Sequence, residues 1–269
     1  MATTSRRKLS KLISQSVMKQ PINKAFLTDL MASIEMRDQK HRRKPSQWYK
    51  PSSFVCLRQM YFMRIGQTPD ESRTEYNAIG MADTGTRRHV AIQEALQEME
   101  SLGYDWRYLD VEQYLNQKKA EGKCLDIEVV GKSGAETKLF HKTLQISFMC
   151  DGILERISTG RCYLFEFKNQ VSFKYNGKEA VDAEHVDQVS TYCMALDLEE
   201  CLVLYENRDT CLLECPEVFQ VTEEMKQRQV DKVLECESYV ERLVPPPVHD
   251  TTKPCRWCQY QTACKKAGK

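Results

Sequence analysis

Asp151 ends the apolar run LQISFMC (144–150), and Glu166-Phe167-Lys168 closes a second run, CYLFEFK (162–168). Both runs are short, rich in β-branched and aromatic residues, and bounded by Gly, Ser, Thr and Asn, which predicts strands. Side chains alternate along a strand, so Glu166 and Lys168 share one face while Phe165 and Phe167 enter the opposite, apolar one. A carboxylate and an ammonium among Tyr163, Phe165 and Phe167 are costly to bury unless they are paired or working. Pairing the two runs as a hairpin sets Asp151 beside Glu166, two carboxylates for one hard cation such as Mg²⁺ or Mn²⁺. Such a cation polarises a phosphate oxygen and acidifies a bound water. Lys168 then orients that water or steadies charge developing on phosphorus. The same residues also read as an Asp151-Gly152 turn and an edge-strand ion pair.

Other residues keep company with this set. His89 lies on a helix predicted from Asp83, with Ile92 and Leu96 at i+3 and i+7, so it faces inward; it reads either as a satisfied core histidine or as a ligand. An imidazole tilts an oxygen site towards Mn²⁺. Gln188 and Tyr192, four apart on a helix predicted over 181–196, share a face, whether as a helix–sheet contact or as part of the site. Arg58, Arg87, Arg88 and Lys174 are candidates for contact with DNA phosphates.

Three thiols fall within ten residues in PCRWCQYQTAC: Cys255, Cys258 and Cys264. A zinc site or an iron–sulfur cluster wants four ligands. Cys56, at the head of a predicted helix, is the preferred fourth, with Cys236 and Cys215 as runners-up that read better as core thiols. Joining Cys56 to Cys255 closes a loop of about 200 residues, which makes the metal a clasp on the domain. The chain has twelve cysteines, and with no secretory signal at its start a disulfide framework is not expected.

The elements that must position these residues follow from periodicity. Leu9, Leu12, Ile13 and Val17, then Phe26, Leu27, Leu30, Met31 and Ile34, predict two amphipathic helices. HRRKPSQWYKPSS (41–53) reads as a connector. Residues 1–45 are thus a basic helical extension, and residues 46–269 the core domain. Residues 107–121 read as helical, 201–207 as a strand, and 222–243 as a long polar helix stopped by Pro245, Pro246 and Pro247. EVVGKSGAETK (128–138) fits no element. The order predicts an α/β core with helical additions. Residues 1–50 carry a net charge of +9 and the remainder −8, a basic arm on an acidic body, suited to phosphate contact or simply solvated. No run of about 18 apolar residues is present, so no membrane span and a cytoplasmic protein are expected.

With these residues in place, the sequence resembles the PD-(D/E)XK (restriction-endonuclease-like) nuclease superfamily, in its RecB-like iron–sulfur branch, which implies an α/β core with a central mixed sheet flanked by helices, helical insertions and a C-terminal cysteine-rich metal-cluster segment. That branch includes CRISPR-adaptation exonucleases, AddB-type helicase–nuclease subunits and many phage relatives. The matches are Gly85-x3-His89, Asp151, Glu166-x-Lys168, Gln188-x3-Tyr192, and one early cysteine followed by a C-terminal triplet, in family order across roughly residues 50–265. The resemblance implies that His89, Asp151, Glu166 and the main-chain carbonyl of Phe167 bind Mg²⁺ or Mn²⁺. It implies that Lys168 assists the attacking water, and that Gln188 and Tyr192 support the site or the DNA. Cys56, Cys255, Cys258 and Cys264 would hold a structural 4Fe–4S cluster, structural Zn²⁺ being the alternative. The implied activity is exonucleolytic cleavage of single-stranded DNA or DNA ends, sometimes endonucleolytic. It would serve recombination, repair or CRISPR spacer processing beside a helicase or adaptation partner, in the host cytoplasm if phage-encoded. The alternative is a non-catalytic DNA-binding or scaffold subunit.

Overall fold

A computed structural model describes residues 22–41, 46–70, 75–133, 136–175, 177–248, 255 and 258–268. The predicted helix over Leu9–Val17 and part of the connector lie outside the described residues. The chain forms two compact units, residues 1–44 with 71–84, and residues 45–70 with 85–269. Residues 71–84, which the sequence places with the core domain, therefore group with the extension.

In the first unit, helix α1 (Ile22–His41) buries no residue. It leaves Phe26, Leu27 and Leu30 exposed, and its Glu35 accepts from the Tyr76 N–H.

The second unit opens with a 3₁₀ turn (Pro51–Ser53) and α2 (Leu57–Arg64). Helix α3 (Tyr76–Glu98) brings in its later turns, followed by β1 (Trp106–Leu109) and α4 (Val111–Ala120). Asp110 caps α4 by accepting from Gln113 N–H, and this start corrects the expected helix over 107–121. Residues 106–109 pair with a later strand instead, because Trp106 and Tyr108 are wanted on a sheet face. The segment 128–138 also finds its place, in the hairpin of β2 (Ile127–Ser133) and β3 (Glu136–His141), which with β4 (Ile146–Cys150) makes a three-stranded antiparallel sheet.

The main sheet holds β1, β5 (Gly152–Arg156), β6 (Arg161–Gln170), β7 (Glu200–Asn207), β8 (Leu213–Glu214) and β9 (Phe219–Gln220). The β5–β6 hairpin turns through Gly160, whose φ of +66° favours glycine. The two predicted strands are thus not each other's partners: β4 pairs with β3, and β6 with β5 and β7. GILER (152–156) is a strand of its own that sequence reading passes over. Strands β6 and β7 are parallel, and the crossover between them holds the short α5 (Ser172–Tyr175) and α6 (Ala183–Leu196). The sheet is mixed and flanked by helices, an α/β architecture. On one face Ile92 and Leu96 of α3 pack on Leu154, Phe165, Phe167, Leu202 and Leu204. On the other, Val189, Tyr192, Cys193 and Leu196 of α6 join Leu164, Cys201, Val203 and Tyr205 in the main core. Helix α7 (Glu223–Glu241), capped by Thr222, and α8 (Gln261–Lys266) complete the unit. No described helix is long and apolar enough to cross a membrane.

Candidate functional site

Strand β5 starts at Gly152, opposite Phe165, so β6 continues without it from Glu166 onwards. An unpaired buried N–H is costly, and the Phe167 N–H finds its acceptor in Asp151 Oδ2 at 2.7 Å. The Asp151 carbonyl is held from the other side by Gln93 Nε2 at 2.7 Å and Tyr108 Oη at 2.8 Å. Backbone and side chain of Asp151 are therefore both fixed, at the point where the chain passes from one sheet to the other.

His89 sits edge-on to the Phe167 ring, centroids 4.8 Å apart, so the inward face expected of it is the one observed. Its Nδ1 lies 3.3 Å from Asp151 Oδ1, without hydrogen-bond geometry. Glu136 completes the group: donor atoms of His89, Glu136 and Asp151 all lie within 4.8 Å of one another. Sequence reading missed Glu136, because it belongs to the segment left unplaced. Its signal is the antiparallel register, in which Thr137 faces Cys150; one step further, Glu136 meets Asp151.

Glu166 is buried. Its Oε1 accepts from Lys168 Nζ at 2.6 Å and from Gln188 Nε2 at 3.0 Å. Gln188 Oε1 accepts a second bond from Lys168 at 3.0 Å, and Gln188 Nε2 also donates to Tyr192 Oη at 2.8 Å. The Tyr192 ring stacks on Phe148, so the Gln188-x3-Tyr192 face is a rigid bracket behind Lys168. Glu166 Oε2 is buried with no hydrogen-bond partner among the described residues.

The electrostatics describe a pocket short of positive charge. Burial, reinforced by Asp151, pushes the Glu166 carboxyl up to about 7. Burial and Asp151 likewise raise Glu136. Burial works against a charged His89 and a charged Lys168, yet neighbouring carboxylates, chiefly Asp151 for His89 and Glu166 for Lys168, outweigh it and raise both. Carboxylates crowded together favour protonation or a cation, and imidazole with carboxylate oxygens is a donor set for Mn²⁺ or Mg²⁺. A second grouping, Asp182, Glu184 and His185, is already satisfied: Lys178 Nζ bonds both Asp182 oxygens, and His185 Nδ1 meets Tyr205 Oη.

Cys56 is the N-cap residue of α2, and its thiol accepts no hydrogen bond from the helix. Burial raises the Cys258 thiol, and the Cys56, Cys264 and Cys255 thiols add to the shift. Of the runners-up, Cys236 is a core thiol directed at the Leu57 carbonyl, whereas Cys215 is exposed rather than core. Arg58 is corrected as a DNA contact. It is buried and donates to the carbonyls of Cys264, Ala267 and Gly268, closing the C-terminal end of α8. Arg87 and Lys174 are exposed, and Arg88 is bound in a bidentate pair to Glu206.

No family model matches the chain, and no curated protein matches it. Among solved structures it is similar to one titled "Crystal structure of SSO0001", at 12% identity and a TM-score of 0.39, over 90% of this chain and 97% of that one. A likeness that loose carries no argument about chemistry.

Proposed function

We propose that the chain is a Mg²⁺- or Mn²⁺-dependent deoxyribonuclease of the PD-(D/E)XK superfamily, RecB-like branch, acting on single-stranded DNA or DNA ends in recombination, repair or CRISPR spacer handling. One observation carries the reading: donor atoms of His89, Glu136 and Asp151 within 4.8 Å of one another, beside a buried Glu166 paired to Lys168. A hard cation fits this pocket, since Glu166 Oε2 and His89 Nδ1 are buried without hydrogen-bond partners among the described residues. Bound there, it supplies Lewis acidity towards a phosphate oxygen and a water of lowered pKa.

The chain's own residues do the rest. Lys168 spends two of its protons on Glu166 Oε1 and Gln188 Oε1, leaving the third for an attacking water or a non-bridging phosphate oxygen. Tyr192 and Glu166 together take the Gln188 amide N–H groups, which keeps the Gln188 oxygen turned to the lysine. Asp151 is held by its carbonyl and by Oδ2, so Oδ1 alone is offered to the site. The same reading assigns Cys56, Cys255, Cys258 and Cys264 to a 4Fe–4S cluster that joins the head of α2 to the C-terminal segment, with zinc as the other occupant.

The test is anaerobic purification, an absorption spectrum, and digestion of end-labelled single- and double-stranded DNA with Mn²⁺. Wild type is expected to shorten single strands, and Glu166→Ala or Lys168→Ala to lose at least about 10²-fold in rate. Either variant cleaving as fast as wild type overturns the assignment. Metal-independent DNA binding without cleavage by wild type identifies a scaffold subunit instead.

A further inference from the structure

The later turns of α3 meet the sheets along two neighbouring rows of side chains. Arg88, Ile92 and Leu96 recur every fourth residue and share one row. Ile92 and Leu96 pack there with Leu202 and Leu204 of β7 and Phe165 and Phe167 of β6. His89 and Gln93 form the other row. Gln93 Nε2 donates to the Asp151 carbonyl at 2.7 Å, and His89 Nδ1 stands 3.3 Å from Asp151 Oδ1. In the parallel β6–β7 register Phe167 lies opposite Leu204 and Asn169 opposite Glu206. The apolar row of β7 under α3 therefore ends in a carboxylate, and Glu206 is 1% exposed.

The bonds on that carboxylate are directional. Arg88 Nε lies 2.9 and 3.0 Å from the two Glu206 oxygens, and Arg88 Nη2 donates to Oε2. Asn169 Nδ2 donates to Oε1 at 2.7 Å. Arg208 turns the Asn169 amide that way, its Nε donating to Asn169 Oδ1 at 2.6 Å and its Nη2 to the Asn169 carbonyl at 3.2 Å. A buried ion pair is a poor source of stability, since apolar residues of like volume often do as well or better. What a bidentate pair supplies is geometry. Ile92 and Leu96 press α3 onto the sheet without fixing how it is turned, because apolar contact has no direction. Sliding a helix by one residue turns it through about 100° and shifts it by about 1.5 Å, enough to take His89 off Asp151. Gln93 fixes one point of α3. The Arg88 fork fixes a second, on the other row and on the other side of His89 in the chain, and two points fix a rotation.

We propose that Glu206 is a positioning residue: through Arg88 it sets the turn and height of α3, and so places the His89 imidazole at Asp151. Asn169, next to Lys168 in the chain, ties the same carboxylate to the strand that carries Glu166 and Lys168. One buried group thus sets the two halves of the cation site against each other. The proposal rests on the nuclease reading for what the placement serves, but the placement is measured without a cation.

Two variants of the full chain separate direction from charge and from packing. Arg88→Lys keeps the charge and loses the fork; Arg88→Met with Glu206→Met replaces the pair by apolar side chains. Four readouts are taken: Mn²⁺ affinity by isothermal titration, the nuclear Overhauser effect between the His89 and Phe167 rings in metal-free protein, the melting midpoint, and DNA affinity in EDTA. The two rings, with centroids 4.8 Å apart, are expected to give a strong effect in wild type that both variants weaken. Mn²⁺ affinity is expected to fall at least about tenfold in both, with DNA affinity unchanged and the double variant melting at or above wild type. A pair that only braces the fold predicts the opposite, a lowered midpoint with ring contact and Mn²⁺ affinity kept, and that result overturns the proposal. Lost DNA affinity with Mn²⁺ binding intact makes Arg88 a phosphate contact and overturns it too. Should the double variant not fold, Arg88→Lys decides alone. A ring contact present in wild type and lost in Arg88→Lys, without Mn²⁺ binding by either, keeps the positioning and removes the cation site. Mn²⁺ bound alike by wild type and variants keeps the cation site and removes the positioning.

Discussion

Gly152→Ala tests whether the site is built from the join between the two sheets. Gly152 does not need glycine for a left-handed φ; it needs it for space. A Cβ there would stand 2.9 Å from both Cζ and Oη of Tyr108, and closer still to Cε2. The ring has little freedom to step aside, because it packs against the Leu154, Phe165 and Phe167 cluster and its hydroxyl donates to the Asp151 carbonyl. Overpacking costs about 1–3 kcal/mol, and the hydrogen bond that Tyr108 must give up about 1 kcal/mol. Alanine's stiffer unfolded chain returns about 0.4–1 kcal/mol. The net is a loss of about 1–3.5 kcal/mol, read in urea denaturation as a lower midpoint at unchanged slope. Cleavage falls as well, since Asp151 loses one of the two donors on its carbonyl. In a Tyr108→Ala background the clash is gone, and Gly152→Ala is expected to change stability by less than about 0.5 kcal/mol. A Gly152→Ala protein as stable and active as wild type, or an equal loss in the Tyr108→Ala background, refutes the geometry.

Glu136→Gln, which keeps the shape and removes the charge, is expected to weaken Mn²⁺ binding by at least about tenfold while leaving the thermal midpoint within a degree or two; isothermal titration and a melting curve read the two together. Cys258→Ser is expected to bleach the visible absorption of an anaerobically prepared protein and to open the C-terminal segment to limited proteolysis, whereas the same change at the exposed Cys215 should do neither. Arg58→Ala is expected to destabilise the clasp by about 1.5–3 kcal/mol, the scale of a buried charge-assisted hydrogen-bond set, with no change in DNA affinity; a loss of affinity with intact stability would return Arg58 to the DNA surface.

The parts of the site that were legible in the sequence are those set by periodicity. Glu166 and Lys168 sharing a strand face, His89 facing inward above Ile92 and Leu96, and Gln188 four residues before Tyr192 all follow from repeats of 2 and 3.6 residues. Partners across the fold were not legible. GILER is too short and mixed to announce a strand, so the two clear apolar runs look like each other's partners, although each is paired within a different sheet, β4 with β3 and β6 with β5 and β7. Glu136 is hidden for a similar reason: it starts β3, in the segment 128–138 that announces no element, and only the β3–β4 register brings it to Asp151. Arg58 misleads for a related reason: a basic residue beside a motif looks solvated until the helix it caps is known, and that helix lies some 200 residues away in sequence.

The choice of Asp151 over any other acidic residue follows from a conflict in the backbone. A sheet that loses a neighbouring strand in mid-course exposes N–H groups that must be satisfied, and at Phe167 the donor is met by a carboxylate rather than by another strand. That bond ties one Asp151 oxygen to β6 and leaves the other facing His89. Replacing Asp151 with asparagine would retain a carbonyl oxygen for the Phe167 N–H while removing the charge, so the fold should survive and cation binding should not. Replacing it with alanine strands the N–H in a buried place and costs stability too, about 1–3 kcal/mol. If both variants melt alike, the carboxylate serves the site alone and the backbone argument is wrong; if asparagine binds Mn²⁺ as wild type does, Asp151 serves the backbone alone.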